Sequence, residues 1–181
     1  MTAPSATNHG PFSILGLQPA FELDQAAVER AFLRQVARLH PDHAPDTSED
    51  DQNAAVVALN AARDQLLDPE RRAGILLGIL GGPAPSQDKS LPQGFLLEML
   101  EARQAMEEEL AADPHNARPR WRLWALERRS GYCKVLAELF NRAPGNASVL
   151  ATIRCELNAW RYIERMIEQL DPAFSHGSKP D

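Results

Sequence analysis

The 181-residue sequence is 44% apolar and 6% aromatic, with 24% charged residues and a formal net charge of −6. That length accommodates one or two small domains, and the acidic balance argues against a nucleic-acid binder. No apolar run approaches the roughly 18–20 residues of a membrane span, so no membrane partner is expected either.

Residues 1–10 (MTAPSATNHG) have neither a basic region nor an apolar core of a leader and read as a disordered lead-in. Phe12–Leu17 (FSILGL) forms one or two turns of helix, closed by Gly16 and Pro19. Asp24 is a good N-cap for a helix over 24–39 (DQAAVERAFLRQVARL), which contains no Pro or Gly. Val28, Phe32, Val36 and Leu39 share one face of it. Arg30, Arg34 and Arg38 recur at four-residue spacing on the opposite face as a basic ridge. Pro41 removes an N–H and pushes His40 out of the helical region, so the helix must end there. One imidazole and one carboxylate, His40 and Asp42, therefore stand at a corner beside a cationic stripe, which is a docking surface in outline.

The next segment, 44–51, carries Pro45, Asp46, Glu49, Asp50 and Asp51. Thr47 or Ser48 can cap a helix running to about Leu67, whose stripe is Ala55, Leu59, Ala62 and Leu66 with Val56 beside it. It should pair antiparallel with the first long helix. Asp68-Pro69 starts another helix, with the apolar run Ile75, Leu76, Leu77, Ile79 and Leu80. The Gly/Pro/Ser stretch 81–86 then marks the clearest boundary in the chain, giving an N-terminal domain over 11–82 and a linker over 83–90. A second domain over 91–172 and a tail over 173–181 complete the chain.

The second domain reads as three helices with short turns, a compact bundle. Its first helix, 91–112, carries Phe95, Met99, Ala102, Met106 and Leu110 at helical spacing. Asp113-Pro114 with Asn116 breaks it, and Pro119 stands near the start of the second helix, which Gly131 bends. The third runs from Val149 to Leu170. Trp121, Trp124 and Trp160 read as core or edge packing, and His9, His115 and His176 as loop or tail residues. No strand alternation or internal repeat is visible, so the fold class is all-α.

Cys133 and Cys155 stand far apart without CxxC spacing or clustered histidine, so no metal, cofactor or disulfide framework is expected, which suits a reducing compartment, the cytoplasm. A hydrolase built on His40, Asp42 and His43 with a metal is the enzymatic alternative. It lacks further convergent ligands.

The helix pair, His40-Pro41-Asp42 between its members, and the downstream LNAARDQLLDPERRA together resemble a J domain. RRAGILL (71–77) and GFLLEMLEARQAMEE (94–108) narrow the resemblance to the HscB-type J-domain co-chaperones of iron–sulfur cluster assembly, over about Phe12 to Leu170. The resemblance implies an N-terminal J domain, a C-terminal three-helix bundle and no enzymatic activity. It implies two partners: a DnaK-type ATPase chaperone (HscA-like) and an iron–sulfur scaffold protein (IscU-like). The chaperone would meet His40, Pro41 and Asp42, where Asp42 can take a charge-assisted bond from an arginine; the Arg30/Arg34/Arg38 ridge would steer the encounter. The scaffold would meet Leu96, Leu97, Leu100, Glu101, Gln104 and Glu108 on the first bundle helix and Tyr162 on the last. A bundle with a different client is the alternative, and a monomer is the expected state. The sequence departs from the family pattern at His43-Ala44, Arg63, Ile75 and Gln104, and its two cysteines cannot form the four-cysteine zinc module that some relatives carry at the N-terminus.

Overall fold

A computed structural model describes residues 10–39 and 49–171, with the side chain of Glu49 left aside. Its described residues form seven α-helices and no strand, in agreement with the all-α expectation. The chain divides into two compact units, Met1–Ile79 and Leu80–Asp181.

In the first unit α1 (Pro11–Leu15), α2 (Gln25–Arg38), α3 (Glu49–Leu67) and α4 (Pro69–Ile79) follow one another. Gly16 closes α1 with φ +66°, a left-handed geometry that an L side chain would strain, and Leu17 N–H bonds back to Phe12 O at 2.8 Å. Asp24 caps α2 as its sequence position demands, its Oδ1 accepting from Ala26 N–H at 3.0 Å. The core gathers Phe12 and Leu15 from α1, Val28 and Ala31 from α2, and Leu59, Ala62 and Leu66 from α3. Phe32, Val36 and Leu39 are half-buried against it, so the stripe read from sequence is real but its centre is Ala31, at 0% exposure. A methyl group at that position lets α2 approach its neighbours closely.

Asp68 caps α4 by accepting from Glu70 N–H at 2.9 Å and Arg71 N–H at 3.1 Å, with Pro69 at the first helical position. Arg72 then ties three segments together. Its Nε donates to Phe21 O at 2.7 Å, its Nη1 donates to Leu66 O, and the guanidinium lies 5.6 Å from the centre of the Phe21 ring. Arg63 sits 4.9 Å from the centre of the Phe32 ring and pairs with the carboxylate of Glu29 on α2 at 3.8 Å.

The second unit consists of α5 (Phe95–Ala112), α6 (Pro114–Arg142) and α7 (Ala147–Leu170). Its α7 is the spine, burying Ile153, Leu157, Trp160, Ile163 and Leu170 among others. Trp160 is fully buried, stacks on Tyr132 at 6.1 Å, and donates from Nε1 to Glu164 at 2.6 Å. Two boundaries differ from expectation. The second bundle helix begins at Pro114, not near Pro119, because Asp113 serves as its cap and accepts from Asn116 N–H at 3.2 Å. Asp-Pro thus stops one helix and starts the next, and Pro119 falls inside α6, where its missing N–H leaves only the carbonyl of the exposed His115 to water. The first bundle helix begins at Phe95 rather than at 91, after Gly94 at φ +80°.

The stretch read as a linker is tied down within this unit. Arg154 Nε donates to Pro83 O at 2.8 Å, and Asn158 Nδ2 donates to both Asp88 O and Ser90 O at 3.0 Å. Arg154 is 6% exposed, a buried cation whose burial weakens its hold on its proton while Asp88 opposes that effect. The 83–90 segment is a strap across α7.

Candidate docking faces

His40, Pro41, Asp42 and His43 lie outside the described residues, between the end of α2 and the start of α3. The ridge that precedes them is described. Arg30, Arg34 and Arg38 are all exposed on α2, the helix that buries Val28 and Ala31. Arg30 pairs with Asp24 at 3.4 Å and Arg38 with Gln35 at 3.4 Å, contacts in open solvent that hold the side chains weakly. Leu33, 62% exposed, stands among these arginines as an apolar knob that the sequence reading passed over. Its signal was available, since it is one residue out of phase with the Val28/Phe32/Val36 stripe.

In the second unit α5 is fixed from inside at several points. The Phe95 ring meets Tyr162 edge-on at 5.5 Å, Glu98 pairs with Arg128, Met106 is buried, and Glu109 accepts from Trp121 Nε1 at 2.6 Å. These anchors turn the remaining face outward. Leu96, Leu97 and Leu100 are 60%, 62% and 64% exposed, and Tyr162 on α7 is 39% exposed. Glu101, Gln104 and Glu108 are exposed on the same side, with Gln104 Nε2 donating to Glu108 Oε1 at 3.0 Å. Leucines exposed together are costly to leave in water.

The structure brings these residues together, but in two strips that share Leu100. Leu97, Glu101, Gln104 and Glu108 follow one another at helical spacing and make an acidic strip. Leu96 and Leu100, with Tyr162, line a groove between α5 and α7 of about 340 Å³. Met99, Arg103, Met106, Arg165, Met166 and Gln169 complete it. The α7 contribution repeats at i, i+3, i+4 and i+7 from Tyr162, a signal the sequence carried and the reading did not use.

Groups with shifted acidity lie mostly away from this face. Hydrogen bonds from Ser90 hold Asp88 below its ordinary range, and those from Asn116 do the same for Asp113. Burial pushes the Cys155 thiol, the Glu156 carboxyl and Tyr132 up, the last to about 12. Cys133 and Cys155 are not disulfide-bonded. Among the described residues no group of three or more His, Cys, Asp or Glu is placed to hold a metal, and no helix is long and apolar enough to cross a membrane.

No family model matches the sequence. A curated relative, the HscB co-chaperone homologue of Ralstonia nicotianae, is 30% identical over 150 residues, covering 79% of this chain and 84% of that protein. The homologue of Bordetella petrii is 26% identical over 179 residues, 92% of this chain and 96% of that one. Among solved structures, HscB from Vibrio cholerae superposes with a TM-score of 0.66 at 27% identity, over 89% of this chain and 94% of that one. Human HscB, at 21% identity, shares the fold with a TM-score of 0.72 over 94% and 84% of the respective chains. The fold is that of a two-part co-chaperone, an N-terminal J domain followed by a C-terminal three-helix bundle. The chain belongs to the HscB co-chaperone family.

Proposed function

We propose that this protein stimulates the ATPase of a DnaK-type, HscA-like chaperone through its J domain and brings to it an IscU-like iron–sulfur scaffold protein held on α5. The single observation that carries the reading is the run of exposed leucines, Leu96, Leu97 and Leu100, set beside Tyr162 and bordered by Glu101, Gln104 and Glu108. An apolar centre with a polar rim is the composition of a protein–protein interface. His40, Pro41 and Asp42 would meet the chaperone, with Arg30, Arg34 and Arg38 steering the approach. The chain itself would act as a cytoplasmic interaction protein, without an active site, nucleotide or cofactor. The iron–sulfur cluster is cargo, held by the scaffold's own thiolates. Holding chaperone and scaffold on one chain raises the effective concentration of each for the other.

The test is the steady-state ATPase rate of the source organism's DnaK-type chaperone, measured with the full chain, with the scaffold, and with both. The expected result is stimulation by the chain alone and a larger, more than additive effect with both. No effect of the chain would overturn the chaperone assignment; an effect that ignores the scaffold would point the bundle toward another client.

The ridge makes a separate prediction. If the arginines steer association, the on-rate for the chaperone falls as salt rises, because exposed charges are screened over about 10 Å at 0.1 M ionic strength. Arg34→Glu should slow association further while leaving the helix intact, since both residues are good helix formers. Stopped-flow association at several salt concentrations reads this, and a salt-independent rate would reduce the ridge to a solvated face.

A further inference from the structure

Of the four methionines in the chain, Met99, Met106 and Met166 all line the groove between α5 and α7. Methionine is the most adaptable apolar side chain, unbranched and polarisable, and its concentration at one site suits a surface that reshapes around what it binds. Leu96, Leu100 and Tyr162 form the exposed walls. A volume of about 340 Å³ admits side chains of a peptide segment rather than a folded domain.

Charge tells the two flanks of Leu100 apart. On the acidic strip stand Glu101 and Glu108, the latter already bonded by Gln104. On the groove side stand Arg103 and Arg165, both exposed. Arg103 holds Glu107 at 2.9 Å, a pair in open solvent, whereas Arg165 has no ion-pair partner among the described residues. A guanidinium beside an apolar groove is a fork shaped for a carboxylate.

We propose that this groove is a specificity pocket for a segment of the scaffold protein that presents a bulky apolar side chain next to an Asp or Glu. The apolar group seats on the methionines and the carboxylate bonds Arg165, with Arg103 as second donor. The inference rests on the reading that α5 binds a scaffold, and adds to it which chemistry is selected and in which direction. A segment docked the other way round would set its carboxylate against Glu101 and Glu108, where like charge opposes it.

The experiment uses the full chain labelled at the methionine methyl carbons and titrated with the source organism's iron–sulfur scaffold protein. Binding should shift the Met99, Met106 and Met166 methyl signals. The double reversal R103E/R165E should weaken binding about tenfold or more, because a like-charge contact replaces an attractive one. The charge-keeping R103K/R165K should weaken binding by less than the reversal, because it keeps the charge and loses only the fork, and both variants should melt with the parent, since the arginines are exposed. Should the reversal variant unfold, the methyl shifts and the lysine variant still decide. Scaffold binding with unmoved methyl signals, or an affinity indifferent to charge reversal, would overturn the pocket while leaving the scaffold assignment standing. If the scaffold does not bind at all, that assignment falls. Two synthetic peptides then decide the pocket, one with a Leu-Phe pair flanked by Glu and one with the same pair flanked by Lys. Methyl shifts with the acidic peptide only support the pocket, and equal or absent shifts refute it. Shifts that follow the protein's own concentration would put a second copy in the groove and end the proposal.

Discussion

Asp42→Asn is expected to remove stimulation of the chaperone ATPase while leaving the melting temperature nearly unchanged. Asp42 falls between α2 and α3 in the stretch PDHAPDTS, whose composition includes no bulky apolar residue. A substitution in such a stretch changes stability by about 0.5 kcal/mol or less. Its effect on a partner is of another size. Amide and carboxyl share shape, so Asn keeps the volume and loses the charge, and a charge-assisted hydrogen bond contributes about 1.5–3 kcal/mol, roughly ten- to hundredfold in affinity. Single-turnover hydrolysis with saturating variant protein separates weakened docking from lost stimulation. Stimulation at parental level would remove the tripeptide from the chaperone contact, whatever the ridge on α2 does.

Much of the fold was legible because local chemistry and tertiary need agree. Asp24 and Asp68 are caps in the sequence and caps in the structure, and the α2 and α3 stripes do meet. What was misplaced has identifiable causes. Asp113-Pro114 carries a stop and a start signal at once, and reading only the stop shifted α6 by more than a turn. Ala31 sits in the first core at 0% exposure yet adds nothing to an α2 stripe recognised by its bulky residues. The strap across α7 was invisible for a different reason. Arg154 and Asn158 bind backbone carbonyls about seventy positions away, and a carbonyl has no sequence identity.

The candidate faces were legible to the same degree. The outward leucines of α5 stood out because acids share their side of the helix, but α5 is apolar nearly all round and periodicity alone could not tell wall from core. Met99 illustrates the difficulty, being half-buried, packed on the Met106 cluster and part of the groove. Only the placement of α7 distinguishes the groove from the acidic strip.

Changing Leu97 and Leu100 together to Ala is expected to abolish scaffold binding while preserving helicity and the J domain's own stimulation of the ATPase. The free protein leaves these side chains 62% and 64% exposed, so a partner can still cover about two thirds of each. Full burial of a leucine contributes about 1.5–3 kcal/mol, which leaves about 1–2 kcal/mol for each on docking and, for the pair, an affinity loss on the order of a hundredfold. The same exposure limits the cost to folding, because a side chain mostly in water leaves no cavity when truncated. A core substitution provides the contrast. Ile153→Ala removes a residue at 0% exposure on α7 and should cost about 2–5 kcal/mol of stability, read as a lower melting temperature. Phe95 and Met99 are poorer controls for this purpose, since the first holds Tyr162 in place and the second lines the groove, so truncating either disturbs binding and packing together. Circular dichroism, a melting curve and a scaffold titration on the leucine pair decide the matter. A pair variant that melts as early as Ile153→Ala would make these leucines core, and one that binds like the parent would move the scaffold contact off α5.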